Sequence, residues 1–213
     1  NLPKQNDFFT GRQVLLEKLK EKFNKVPNNT VVLYGSPGIG KSAIAYKYAE
    51  GLGNDYTVII RIRFNAEITI YSDLRGIATK LSLDDMNELN TKEMAERIYS
   101  EIEKRHKKCF LIVENPEFYK NKIRQDNQET LLSYFPRNTK KKAKWKILVT
   151  TTDKTVWGNT PIIDVPKMSV EEAIELFKTI RGSEFVDSTQ EKCLPDFLKQ
   201  VDYLPIIILQ TAS

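Results

Sequence analysis

Hydrophobic positions along the chain switch repeatedly between helical and strand spacing. Leu15, Leu16, Leu19 and Phe23 mark one helical face behind Thr10-Gly11-Arg12-Gln13, whose threonine and glutamine, three residues apart, predict a capping box at the start of the first helix. Pro27-Asn28-Asn29 ends that helix, and Thr30-Val31-Val32-Leu33-Tyr34 reads as a short β-branched strand. Helical spacing returns with Ile44, Ala45, Tyr48 and Ala49. A strand is then predicted over 56–64, followed by a helix carrying Leu74, Ile77, Ala78 and Leu81 with Ser72 as its cap. Another helix fits 92–105, with Met94, Ala95, Ile98, Tyr99 and Ile102 inward. The run Cys109-Phe110-Leu111-Ile112-Val113 is apolar without a break, the pattern of a parallel strand covered on both faces. A helix about 128–135 and strands at 146–151 and 162–165 complete the series.

Strands alternating with helices imply right-handed crossovers and an α/β fold with a doubly wound parallel sheet of about five strands. From Ser169 the character changes. Ser169-Val170-Glu171-Glu172 is a second capping box, and Ala173, Ile174, Leu176, Phe177 and Ile180 form a helical stripe with no convincing strand after it. The expected division is an α/β domain over 1–166 and a small helical subdomain over 167–213. The chain begins without methionine and stops inside an apolar segment, so it reads as a piece of something longer.

The first strand runs directly into Gly35-Ser36-Pro37-Gly38-Ile39-Gly40-Lys41-Ser42-Ala43, a Gly-x-x-x-x-Gly-Lys-Ser loop in the strand–loop–helix setting that a Walker A phosphate loop requires. Gly35, Gly38 and Gly40 let the backbone turn its N–H groups toward phosphate oxygens, and the positive end of the following helix faces the same anion. Lys41 supplies a compact cation for the terminal phosphates. The Ser42 hydroxyl is a hard oxygen ligand for Mg²⁺. A bound nucleoside di- or triphosphate follows, with ADP or ATP and Mg²⁺ as the expected cofactors. In a doubly wound sheet the ligand sits at the carboxyl ends of the strands, where this loop, Glu114 and Thr151 all fall. Glu114 is positioned to reach the metal or one of its waters, while Asn115, an amide, can orient water but not accept its proton.

Composition narrows the alternatives. With 213 residues, 40% hydrophobic and 29% charged, the chain is an ordinary globular sequence with enough material for an interior. The longest apolar stretch, 204–209, is far shorter than the roughly 18 residues of a membrane span, and no secretory leader is visible. A cytoplasmic setting is expected, with Cys109 in a core strand, Cys193 in a helix, and neither in a disulfide or metal site. His106, amid Lys104-Arg105-His106-Lys107-Lys108, reads as a solvated loop residue. The net charge of +5 is concentrated in the lysine run at 137–146. That run reads as a solvated loop guarding the buried strand behind it rather than as a nucleic-acid surface, because no nucleic-acid module accompanies it.

The ordered set of motifs resembles the NB-ARC domain of the signal-transduction (STAND) P-loop NTPases, found in plant resistance proteins and apoptosome scaffolds. Phe8-Phe9-Thr10-Gly11-Arg12 is similar to the family's Phe-Val-Gly-Arg motif, Glu114-Asn115 to its Walker B, and Lys146-Ile147-Leu148-Val149-Thr150-Thr151-Thr152 to its sensor strand. Residues 165–177 resemble its helix with the pattern L-x-x-L-s-x-e-e-a-x-x-L-F, and Tyr203-Leu204-Pro205 its Gly-Leu-Pro segment. The resemblance implies that Phe9, Thr10, Gly11 and Arg12 lie near adenine and ribose and that Pro205 closes on the base. It further implies an ADP-locked resting state, ATP-driven assembly into a homo-oligomer, and winged-helix, repeat and effector domains elsewhere in the same longer chain. Three positions depart from the family pattern. Asn115 replaces the second Walker B acid, Thr152 the sensor arginine, and Tyr203 a glycine. The first two imply slow hydrolysis. Two other readings stay open: a working AAA+ or origin-recognition-like ATPase that could act on DNA, and a scaffold whose nucleotide is purely structural.

Overall fold

The computed structural model describes residues 8–25, 29–86, 88–106, 108–117, 134–136, 144–155, 157–182 and 188–212. Five strands form one parallel sheet: β1 (Thr30–Tyr34), β2 (Val58–Arg63), β3 (Cys109–Glu114), β4 (Trp145–Thr151) and β5 (Ile162–Asp164). Their spatial order is β2-β3-β4-β1-β5. The strand bearing the phosphate loop therefore lies between β4 and β5, and β4 separates it from β3. Tyr34, the last residue of β1, is in register with Thr151 on one side and Asp164 on the other. The carboxyl ends of all three strands thus meet at the loop, the position predicted for the ligand.

Alternation along each strand feeds two cores. Val32, Leu111, Val113, Ile147 and Val149 face helices α3 (Glu67–Lys80) and α4 (Thr91–Arg105). Val31, Leu33, Phe110, Ile112 and Leu148 face helices α1 (Gln13–Lys25) and α2 (Lys41–Glu50). Every residue of β3 is buried, as its unbroken apolar run requires. Among the described residues, three further helices, α5 (Val170–Arg181), α6 (Ser188–Gln200) and α7 (Pro205–Ala212), enclose a third core of their own around Leu176, Phe177, Leu198 and Ile208. Ser169 caps α5 reciprocally with Glu172, as the sequence predicts.

Two helix starts differ from expectation. Thr10 does not cap α1. The helix begins after Arg12, whose carbonyl accepts from Leu15 and Leu16 and whose φ of 63° is left-handed. Helix α3 begins at Glu67 rather than after Ser72, because the Thr69 hydroxyl accepts from the Ala66 N–H at 3.2 Å and closes the first turn six residues earlier. Asp73 then anchors that helix to the end of β2 by accepting from the backbone N–H and the guanidinium of Arg63 at 2.7–3.0 Å. Helix α4 is capped by Asn90. Most of the helix expected at 128–135 and most of the lysine run lie outside the described residues. At the end of that run, Lys144 bonds the Glu103 carbonyl, and Lys146 sits over the rings of Phe23 and Tyr56. His106 ends α4, Cys109 is buried in β3 and Cys193 is exposed on α6, both thiols free.

Candidate functional site

Between β1 and α2 the chain turns through Gly38 and Gly40, with φ of 74° and 96°, the left-handed conformations that only glycine adopts without strain. Gly35 is needed for space instead. A Cβ there would stand 3.1 Å from the Val165 carbonyl and from Ile39. Lys41 is not the surface charge that a loop position suggests; it is only 7% exposed. Its ammonium donates to the carbonyls of Gly35 and Ser36, each at 2.9 Å. Burial pulls its pKa below the ordinary lysine value, and the negative charge of Glu117 works against that shift.

Above the loop lies a cavity of about 750 Å³. Its floor is Pro37, Gly38, Ile39, Gly40, Lys41, Ser42 and Ala43; one wall is Phe8, Phe9, Thr10 and Arg12. The ends of β2, β3 and β4 contribute Asn65, Asn115, Glu117 and Thr152, and the helical unit covers it with Met168, Leu176, Pro205, Ile206 and Leu209. Pro205 occupies the first turn of α7, where its missing N–H costs nothing. The amino-terminal wall and the helical cover are locked together by one carboxylate. Glu172 accepts from the Arg12 N–H at 2.9 Å and pairs with its guanidinium at 3.5 Å, while capping α5 through the Ser169 N–H. Gly11 passes so close that a Cβ would stand 2.9 Å from the Glu172 side chain.

Two polar atoms in the wall are buried without a protein partner among the described residues: the Thr10 hydroxyl and Nη2 of Arg12. Burial lowers the pKa of that guanidinium, and Glu172 offsets part of the shift. An orphaned donor in a buried wall is costly unless a ligand completes it. A nucleotide fits this lining. The phosphate loop offers N–H groups and a cation for its charge, the apolar cover suits a base, and Thr10 and Arg12 have bonding capacity left for sugar or base. Mg²⁺ also fits the chemistry of the site, since Ser42, Asn115 and Glu117 put hard oxygen donors on one cavity. Among the described residues no group of three or more His, Cys, Asp or Glu could hold a metal alone, so the ion would need phosphate oxygens or water to complete its shell.

The profile of the NB-ARC domain matches residues 12–185. The chain belongs to the NB-ARC family. No curated protein matches it significantly, whereas many solved structures share its fold. The Drosophila origin recognition complex bound to DNA aligns with a TM-score of 0.62 and 15% identity, over 96% of this chain and 60% of that one. The Aeropyrum pernix ORC1 protein in complex with DNA gives 0.59 and 16%, over 93% and 58%. Cdc6p from Pyrobaculum aerophilum gives 0.54 and 14%, over 95% and 63%. The chain spans about three fifths of the length of these proteins. At such identities the likeness is one of fold: this NB-ARC domain is an α/β P-loop NTPase module. No described helix is long and apolar enough to cross a membrane.

Of the site residues read from the sequence, Phe9, Thr10, Arg12, the loop from Pro37 to Ala43, Asn115, Thr152 and Pro205 line the cavity. Gly11, Gly35 and Ser36 act through backbone geometry beside it. Glu114 does not line it. The residue is 5% exposed, its carboxylate lies 3.7 Å from the Arg61 guanidinium, and that guanidinium also donates to the hydroxyl of Tyr46, whose pKa is pushed up to about 12 chiefly by burial. An acid so engaged would reach a metal only through water. Glu114→Ala is therefore expected to lower the unfolding free energy of the nucleotide-free domain by about 2–3 kcal/mol, near or below the usual cost of breaking a buried pair. Urea denaturation measures this. An unchanged midpoint together with lost Mg²⁺-dependent ATP binding would reverse the assignment and make Glu114 a metal residue.

Sequence reasoning missed Asn65 and Glu117. Both follow the ends of strands, and the rule that ligands bind at the carboxyl edge of a parallel sheet was the signal available for finding them.

Proposed function

We propose that this NB-ARC domain is an ADP- and ATP-binding regulatory switch within a larger signalling receptor or scaffold, hydrolysing ATP slowly. The reading rests chiefly on the cavity between the phosphate loop and the helical unit, with the Thr10 hydroxyl and Arg12 Nη2 buried there and without a partner among the described residues. A ligand held by both parts couples its own chemistry to their relative placement. A γ-phosphate that alters the contacts of Lys41 and the end of β4 then biases the helical unit between two arrangements. The division into an α/β domain over 1–166 and a helical subdomain over 167–213 is the mechanical counterpart of that switch. Mg²⁺ would be held by Ser42 and the phosphates, with Glu114 at one water's remove, and would neutralise phosphate charge. The setting inferred is cytoplasmic. Further domains of the same chain, and copies of it in a nucleotide-dependent assembly, are the inferred partners.

Identifying the nucleotide released when gently purified protein is denatured tests the reading directly: ADP or ATP is expected. Turnover separates the switch from a working ATPase. Asn115 lies on the cavity in a left-handed conformation (φ 51°) that asparagine and aspartate both tolerate, so Asn115→Asp should fold. It should raise the rate by about 10²-fold, the contribution of a positioned base. A wild-type rate already on the order of 1 s⁻¹, within the ordinary enzyme range, would instead favour the ATPase reading.

A further inference from the structure

The end of β4 touches the phosphate loop directly, since the Gly35 N–H donates to the Thr151 carbonyl at 3.3 Å. From there a short chain of bonds leads to an acid. The hydroxyls of Thr151 and Thr152 donate to Oε1 of Glu117 at 2.8 and 3.0 Å, and the Thr152 N–H donates to the same oxygen. Three donors hold this carboxylate in its place on the cavity wall. Among the described lining residues, Glu117 is the carboxylate and Lys41 the cation at this end. The electrostatic influence of Glu117 on Lys41 places the two within each other's field. Where the resemblance implied a γ-phosphate-sensing cation at 152, the chain has a threonine, and that threonine holds an anion.

We propose that Glu117 is a specificity-determining residue that makes this cavity favour a nucleoside diphosphate over a triphosphate. The proposal rests on the nucleotide-binding reading above and adds the residue that sets the preference between phosphate states. Lys41 and the loop N–H groups attract every phosphate alike, so they do not discriminate. A fixed carboxylate beyond them does, because each further phosphate brings negative charge toward it. At an effective dielectric near 20, a like-charge pair separated by several ångströms corresponds to a preference of roughly tenfold or more. A divalent cation on the phosphates would relieve the repulsion, so the preference should be largest without one.

The test is calorimetric titration of wild type and Glu117→Gln with ADP and with ATP in chelator-containing, Mg²⁺-free buffer. Glutamine keeps an amide oxygen for the two threonines and removes only the charge. Wild type should bind ADP at least about tenfold more tightly than ATP, and Glu117→Gln should narrow that gap by tightening ATP more than it tightens ADP. An unchanged ADP-to-ATP ratio in the variant overturns the proposal. So does an equal weakening of both ligands, which would mean that Glu117 only braces the end of β4. Wild type that binds neither nucleotide would sink the nucleotide reading itself, an outcome readily told apart from the other two.

Discussion

Lys41→Ala is expected to weaken ADP binding by at least about 100-fold, the consequence of removing one partner from a desolvated charge pair, worth about 2–5 kcal/mol. The expectation is sharpened by where the ammonium sits. It is held against the carbonyls of Gly35 and Ser36 at the head of the loop, so little entropy remains to be lost when phosphate arrives. The fold itself should tolerate the change. Two charge-assisted bonds disappear, but so does the cost of keeping an ammonium buried. Calorimetry on the variant, with thermal denaturation of the nucleotide-free protein as control, checks both halves. ADP affinity unchanged from wild type would remove the phosphate role of the loop. A collapse in melting temperature would show instead that Lys41 is chiefly a structural brace.

The phosphate loop was legible in the sequence because its requirements are local. Glycine spacing, a β-branched strand before it and a helix after it are all contained within about twenty residues, and no distant contact is needed to predict them. The five strands were legible for a related reason. Burial on both faces leaves an apolar run such as Cys109-Phe110-Leu111-Ile112-Val113 that no amphipathic helix would carry. What could not be read is what two remote segments do to each other. The locking of Arg12 by Glu172 depends on a helical unit more than 100 residues away in sequence, brought over the loop by the fold.

Glu117 illustrates the same limit more sharply. Its importance arises only because β4 is inserted between β3 and β1, which lays the Thr151-Thr152 pair beside both the acid and Gly35. Sequence order alone gives no hint of that neighbour relation. Glu114, by contrast, ended the right strand but was taken up by Arg61 from the adjacent β2. Strand-end acids are told apart by their cross-strand partners, which only the register reveals. Thr69 rather than Ser72 closes the first turn of α3 for an equally local competition: both are hydroxyl residues, and the one nearer the end of β2 wins because Asp73 must reach Arg63.

The helical unit and the phosphate loop meet most closely at Gly38, and Gly38→Ala is expected to weaken ADP binding by about 100-fold through two separable penalties. One is conformational, since φ is 74° and an alanine there costs roughly 1–2 kcal/mol for the left-handed backbone. The other is steric. A Cβ at this position would lie 2.5 Å from Cγ2 of Ile206, so the side chain, or α7 behind it, must move. Ile206 also donates its N–H to the Gly38 carbonyl at 3.4 Å, so displacing the helix disturbs the loop as well. Ile206→Ala should relieve the overlap at little cost of its own, because that side chain is 47% exposed. In the double variant the steric part of the loss should return while the backbone part remains, giving a coupling energy of about 1–2 kcal/mol, within the range found for residues in contact. Titrating the four members of this cycle with ADP measures it. Strict additivity would mean that the helical unit does not bear on the loop when nucleotide is bound, and the switch would then have to be sought elsewhere than in this contact.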